Sequence, residues 1–221
     1  MRVILPVYGV RPTLRLNLGQ PEGPFRVRFP KLFERFAALV SLPPEEWEKA
    51  EALTREQTLG KRELFLQPGE PADRFAVVLQ GVFRAVRVSA RGGESIKAFR
   101  AEGELIGAYA EMLQRAPSMT AIEALEPSRV LVFRAGDFQT LERGHVCWER
   151  LARRVAEHHF LIKERREQEF LDLSAEERLV KFWEEHPHLL GRVPQRDVAA
   201  YLGITEVALS RIMARRRKRE G

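Results

Sequence analysis

Three features of the sequence predict an α+β chain in three parts. Between residues 61 and 133 short apolar stretches alternate with turn residues, and glycines recur about every 11–12 residues. That spacing belongs to an antiparallel β sandwich or barrel. After Gly136 the apolar period becomes helical over a stretch too long for an ordinary globular helix. Residues 193–214 then read as two short helices about a glycine, a helix-turn-helix.

The elements follow in order. Residues 1–29 mix Arg, Pro and Gly with short apolar pairs and read as an arm with at most one strand. Leu32, Phe33, Phe36 and Leu39 recur at helical spacing, and Pro43-Pro44 lead into a second short helix through Trp47 and Leu53. Strands are expected at 64–67, 75–79, 82–88, 95–99, 119–125 and 130–133, separated by Pro68-Gly69, Gly81, Gly92-Gly93, Gly103 and Pro127. The interval 104–118, broken by Gly107 and Pro117, reads as a functional loop.

The long helix is predicted over about 145–170, with Trp148, Leu151, Val155, His158 and Ile162 in alternating steps of three and four. Such a seam fits a helix packed on its own β-domain or a coiled-coil contact with a second copy, and periodicity alone leaves both open. Ser174 and Glu177 have the spacing of a capping box. The helix they start runs through Leu179, Phe182 and Trp183 and stops near His186-Pro187.

In the helix-turn-helix, Pro194 suits the start of the first helix, and Val198, Ala199 and Leu202 form its buried face. Gly203 supplies the turn, Ile204 plugs the space between the helices, and Thr205 caps the second one. The inner face of that second helix is Ala208, Leu209, Ile212 and Met213. Its outer face carries Glu206, Val207, Ser210 and Arg211, and Arg215 lies one turn on. A helix presented this way lies in the major groove, where Arg211 suits a bidentate contact to guanine. Gln195, at the start of the first helix, and Thr205 join Glu206, Val207, Ser210 and Arg211 as candidate DNA contacts, and the basic run Arg215, Arg216, Arg217, Lys218 and Arg219 suits phosphates.

Charge points the same way. The 221 residues hold 37 Lys and Arg against 31 Asp and Glu, a net +6, with a pI near 9.8. Residues 205–221 alone hold six basic and two acidic side chains, a density that implies a polyanionic partner. A composition 44% hydrophobic and 31% charged is that of a globular chain. No apolar run approaches the ~20 residues of a membrane span, so a cytoplasmic protein with no membrane contact is expected. The single Cys147 excludes an intrachain disulfide and a thiolate cluster, and beside Trp148 it reads as packed. His158 and His159, adjacent on a helix, point about 100° apart and make no metal pair. No nucleophile–base pair, phosphate loop or metal motif is found, so neither an enzyme nor a cofactor is expected.

The order of β-domain, long helix and helix-turn-helix resembles the Crp/Fnr family of bacterial transcription regulators. The segments 64–69, 73–81, 103–107, 117–126 and 173–211 carry the likeness, above all Ser-Ala-Glu-Glu-Arg-Leu at 174–179 and Val-Pro-Gln-Arg-Asp-Val-Ala-Ala-Tyr-Leu-Gly-Ile-Thr at 193–205. The resemblance implies an arm over 1–29, a cyclic-nucleotide-binding-like β-roll or jelly roll over 30–143, a dimerisation helix over 144–173 and a winged-helix-type DNA-binding domain over 174–221. It implies a homodimer joined at Trp148, Leu151, Val155, His158 and Ile162, a palindromic double-stranded DNA site, and RNA polymerase as a further partner.

The chain departs from that pattern where cyclic AMP would be held. The ligand-pocket positions become Gly107, Ala108, Tyr109, Pro117, Ser118, Leu161 and Ile162. Ala108 stands where the ribose-binding Glu is expected and Pro117 where the phosphate-binding Arg is. Leu161 and Ile162 replace hydroxyl side chains on the long helix. A bound phosphate would lack its bidentate cation. A regulator independent of cyclic AMP is therefore expected. The alternative is one that takes a cyclic nucleotide or other small ligand through different contacts. On the reading helix Val207 stands where some members carry Glu, and the hairpin wing after that helix is missing.

Overall fold

The computed structural model describes residues 29–88 and 94–220. Two short helices, α1 (Pro30–Ala37) and α2 (Pro44–Ala52), each with proline in the first turn, precede eight strands. These are β1 (Thr54–Leu59), β2 (Leu64–Leu66), β3 (Arg74–Gln80), β4 (Phe83–Val88), β5 (Glu94–Arg100), β6 (Leu105–Gly107), β7 (Thr120–Ala124) and β8 (Ser128–Arg134). Helix α3 (Tyr109–Gln114) lies between β6 and β7. After β8 come α4 (Ala135–Gly144), the long α5 (Val146–Asp172), α6 (Ala175–Glu185), α7 (Gln195–Leu202) and α8 (Glu206–Glu220). The expected arm, apart from Phe29, and the Gly92-Gly93 turn lie outside the described residues.

The strands form two antiparallel four-stranded sheets, ordered β1-β8-β3-β6 and β2-β7-β4-β5. Strand β8 explains the layering. Val130 and Val132 point into the core between the sheets, with Phe65, Phe83 and Ile122. Leu131 and Phe133 point the other way, into a second core with Trp47 of α2, Leu141 of α4 and Trp148 of α5. Covered on both faces, β8 reads as a continuous apolar run rather than an alternation. Aromatic contact reinforces the second core: Phe75 stacks on Phe133 at 5.3 Å, and Phe138 meets Trp148 edge-on at 6.0 Å.

A third core docks the helix-turn-helix onto the outer face of the β4–β5 sheet. Val86, Ile96 and Phe99 pack with Leu179, Phe182, Val198, Leu202 and Leu209. Phe99 lies 5.5 Å from the Tyr201 ring and 6.0 Å from Phe182. Polar groups pin the same junction. Arg84 pairs with Glu123 at 2.7 Å and with Asp197 of α7 at 2.8 Å, all three largely out of water. Arg192 binds Glu102 and Glu126. Although burial alone would raise the Glu102 carboxyl, Arg192 and the Gly81 amide hold it down to about 2.

The sequence-level expectations meet the structure at particular residues. The capping box forms in full, with Ser174 Oγ accepting from Glu177 N and Glu177 accepting from Ser174 N. The interval 104–118 is not a loop: β6 and α3 occupy most of it. Strand β1 was missed because Thr-Arg-Glu-Gln-Thr-Leu carries almost no apolar alternation; it pairs along a sheet edge with β8. Among the described residues no strand follows α8, which continues as helix where a wing would turn back.

Two stability predictions follow from the docked junction. Arg84→Ala strands the Asp197 and Glu123 carboxylates out of water and is expected to cost about 2–4 kcal/mol in urea unfolding. His186 sits against Phe182 at 5.1 Å, and burial holds its imidazole down to about 4 against an ordinary 6.5. Between those values the unfolded chain binds the extra proton. The resulting stability is complete above pH 6.5 and is lost as pH falls from there through about 4, by up to about 3 kcal/mol. His186→Phe is expected to remove that part of the pH dependence, read as the difference between the two unfolding curves.

Candidate nucleic-acid interface and sensor cavity

The turn of the helix-turn-helix is built from residues whose geometry leaves little choice. Gly203 ends α7 in the left-handed region at φ +71, and a Cβ there would come within 2.8 Å of the Phe170 ring of α5. Thr205 Oγ1 accepts from Ala208 N at 3.2 Å and starts α8. Val198, Ala199, Leu202, Leu209 and Ile212 are buried, and Ile204 and Met213 pack against them. The outer residues Glu206, Val207, Ser210 and Arg211 are all exposed, on one end of α8. Gln195 is exposed at the first residue of α7, and Thr205 at the turn.

The basic run continues α8 as helix, so its side chains spread around the axis rather than lining one face. Arg215 and Arg219 reach back toward Glu176 of α6, at 3.8 and 3.4 Å. Arg217 and Lys218 are exposed, and Arg216 is half-buried.

The first part of the expected seam packs within the chain. Trp148 and Leu151 are buried in the chain's own second core, with Val155 beside them. The helix turns this face onto its own β-domain, because Trp148 Nε1 there donates to the buried Glu46 at 2.7 Å. Farther along, the inward positions are His159, Ile162, Arg166 and Glu169, which line a cavity. His158 is one step off this face. Phe160 and Leu161, each 60% exposed, and Leu171, 78% exposed, lie on the outer side. Trp148 and Leu151 are thus packed within the chain, while Val155, His158 and Ile162 are partly exposed.

The cavity, about 1380 Å³, lies between the β-domain, α5 and the docked helix-turn-helix. Its walls are mostly apolar: Phe75, Phe99, Ile106, Met112, Val155 and Ile162 contribute. Of the seven pocket positions, Gly107, Tyr109, Pro117 and Ile162 line it. At Gly107 a Cβ would meet that of Phe75 at 2.9 Å. Ala108 is buried as the residue before α3. Leu161 and Ser118 do not line the cavity. Leu161 faces out, because the inward stripe runs through Ile162. Ser118 is buried, with Oγ donating to Thr120 O at 2.8 Å and accepting from Thr120 N at 3.1 Å, and so ties the strand start.

Sequence reasoning missed the polar groups of this cavity. Lys97 donates to Thr120 Oγ1 at 3.3 Å, and burial pushes its ammonium down despite the neighbouring Glu111. Glu111 of α3 is buried, and its Oε2 has no hydrogen-bond partner. Arg166 donates to the carbonyls of Ile96, Lys97 and Tyr201 and lies 3.9 Å over the Tyr201 ring. A seam continued in steps 155, 159, 162, 166 would have found Arg166. The signal was present but was read one residue off.

One metal-like grouping occurs among the described residues: ligand atoms of Glu46, His145 and Cys147 lie within 4.8 Å of one another. Two of the three are engaged in structural bonds. Glu46 holds Lys49 and Trp148, and His145 Nδ1 accepts from Cys147 N to cap α5. Burial and the Glu46 charge push the Cys147 thiol up, away from the thiolate a metal needs. No described helix is long and apolar enough to cross a membrane.

No curated protein sequence matches the chain significantly. Solved structures do. FixK2 of Bradyrhizobium japonicum superposes with TM-score 0.64 at 23% identity, over 76% of this chain and 86% of that one. The c-di-GMP responsive global regulator CLP of Xanthomonas campestris gives TM-score 0.63 at 13% identity, over 80% and 93%. A CooA mutant of Carboxydothermus hydrogenoformans gives 0.62 at 16%, over 76% and 78%. Residues 56–145 match the cyclic nucleotide-binding domain family. That segment is therefore similar to a cyclic nucleotide-binding domain, and it is set in a chain that shares its fold with FixK2, CLP and CooA.

Proposed function

We propose that the protein is a DNA-binding transcription regulator that works as a homodimer on a palindromic site, with the cyclic nucleotide-binding domain as its sensor. The observation that carries this reading is the exposed outer end of α8. Glu206, Val207, Ser210 and Arg211 stand clear of the chain's own packing, while Val198, Ala199, Leu202, Leu209 and Ile212 are buried. In this reading Arg211 reads guanine, Val207 makes only apolar contact, such as with a thymine methyl, and the residues from 215 onward neutralise phosphates. RNA polymerase is the onward partner that the resemblance implies. The sensor works without cyclic AMP, since Ala108 and Pro117 supply neither the carboxylate nor the cation that nucleotide needs.

The face joining the two copies is the outer side of α5. Phe160 and Leu171 lie eleven residues apart on one stripe, about three turns, and Leu161 stands beside Phe160. Three large apolar side chains this exposed on one helix mark a contact surface, and a second copy brings the second reading head a palindrome requires. Phe160→Asp with Leu161→Asp is expected to yield monomers in sedimentation, with the single-chain fold retained. An unchanged dimer mass overturns this face.

DNA reading is tested by fluorescence anisotropy across a salt series, on specific and scrambled duplexes. Arg211→Ala is expected to cost about 1–3 kcal/mol at the specific site and to relax preference at one symmetric base pair. Removing residues 215–221 is expected to weaken all duplexes alike and to flatten the slope of log affinity against log salt by roughly two units per subunit, about 0.9 for each phosphate released. Loss of preference with an unchanged slope would invert these roles.

A further inference from the structure

We propose that the cavity between the β-domain and α5 binds a small organic anion, a carboxylate on a largely apolar body, with its head beside Lys97 and Lys163 where β5 meets α5. The proposal rests on the sensor reading above and names the ligand class for that site. Three observations carry it. The first is where the cations stand. Lys97 and Arg100 of β5 and Lys163 and Arg166 of α5 all line the cavity. Arg166 donates to the carbonyl of Lys97 itself and to that of Ile96, so strand and helix touch at this point. Lys163 lies three residues before Arg166 and so on the same side of α5.

The second observation is that these charges are not neutralised. Lys97 donates to the Thr120 hydroxyl at 3.3 Å, Arg100 to the Phe99 carbonyl at 3.0 Å and Arg166 to three carbonyls, all neutral oxygens. Among the described residues none of the four is held by an ion pair. Other carboxylates of the wall are engaged elsewhere: Asp73 by Arg74, Glu169 by Lys181 and Glu185 by Arg165. Lys97 stands in the field of Arg87, Lys163 and Arg100, with Glu111 opposing them. An anion placed here relieves that repulsion, and a cation adds to it. Lys97 and Lys163 both retain exposed surface for such a contact.

The third observation is the rest of the wall. The cavity, about 1380 Å³, admits a molecule of drug size or more, and Phe75, Phe99, Ile106, Met112, Val155 and Ile162 give it apolar sides. An apolar body gains from such walls by leaving water. The two lysines offer compact charges with rotatable donors, which a single carboxylate satisfies without the planar fork that best holds a phosphate. The head therefore sits on the β5 and α5 side, not at the Ala108 and Pro117 positions where a cyclic nucleotide would be gripped.

Isothermal calorimetry on the full chain, without DNA, tests this with three probes that share one body: phenylbutyrate, phenylbutanol and phenylbutylamine, with cyclic AMP as a fourth. Phenylbutyrate is expected to bind at least about fivefold tighter than each of the others. Lys163→Gln and Lys97→Gln are each expected to weaken phenylbutyrate about fivefold or more and to change the alcohol by less than about twofold. Arg115→Gln removes the lining cation nearest in sequence to Pro117 and should leave phenylbutyrate within about twofold. No binding of phenylbutyrate, tighter binding of any other probe, or an affinity that falls with Arg115→Gln but not with Lys163→Gln overturns the proposal. So does a phenylbutyrate affinity untouched by all three substitutions. Lys163 is exposed on α5, so its variant decides even where Lys97→Gln, which loses the Thr120 bond, fails to fold. The regulator reading fails separately, by loss of specific DNA binding in the anisotropy experiment, because calorimetry here involves no DNA.

Discussion

One guanidinium, that of Arg166, joins three elements distant in sequence. It donates to two successive carbonyls of β5 and to a carbonyl of α7, and it stacks on the Tyr201 ring. Burial opposes its charge, so the site is kept only because those acceptors are supplied together. Around it the apolar contacts of Phe99, Phe182 and Tyr201 fall into place. Helix α5 therefore cannot rotate about its axis without breaking this set. That constraint fixes which side faces the β-domain and which faces away.

The consequence reaches the whole length of α5. A seam at steps of three and four specifies that one face is buried, but not against what. Both a coiled coil and a β-sheet wall take Trp, Leu and Val at such positions. Here the Trp148 indole finds a buried acceptor in Glu46 of α2, and an indole N–H out of water needs one. No second copy is required to satisfy it. The outer face, with Phe160, Leu161 and Leu171 interrupted by Glu164 and Glu167, shows no clean heptad and drew no notice in the sequence.

What the sequence made legible was local. The capping box, the left-handed Gly203 and the Thr205 cap are set by residues within three or four positions of one another, and each formed as read. The six predicted strands carry apolar stretches; β1 has almost none and β6 is only Leu-Ile-Gly, and they pair with partners more than 25 residues away. The outer residues of α8 were legible for the same reason as its caps. The cavity was not. Its polar members, Lys97, Glu111 and Arg166, come from a strand, a short helix and the long helix, and only the tertiary fold brings them to one space. Ser118 shows the opposite error: a residue of the right type in the right motif, whose hydroxyl is consumed two residues away by Thr120.

In the proposed regulator, the size of the third core limits how a signal in the cavity could reach α8. Separating the helix-turn-helix from its sheet would return Val86, Ile96 and Phe99 to water, at about 1.5–3 kcal/mol each, or roughly 5–9 kcal/mol from one side of the contact alone. The facing side chains of α6 and α7 would add a similar amount, and the Arg84–Asp197 pair would be broken as well. A ligand that moves an equilibrium from one part in a hundred to ninety-nine must favour its state by about 5.5 kcal/mol. Full undocking costs more than such a ligand supplies. A signal is confined to movements that keep the core covered: a slide or tilt of the docked unit together with α5. Ile162 stands in the cavity wall and Arg166, one turn on, stands at the junction, so one rigid helix carries a shift at the first to the second. Phe160 and Leu161, on the opposite side of that same turn, move with them.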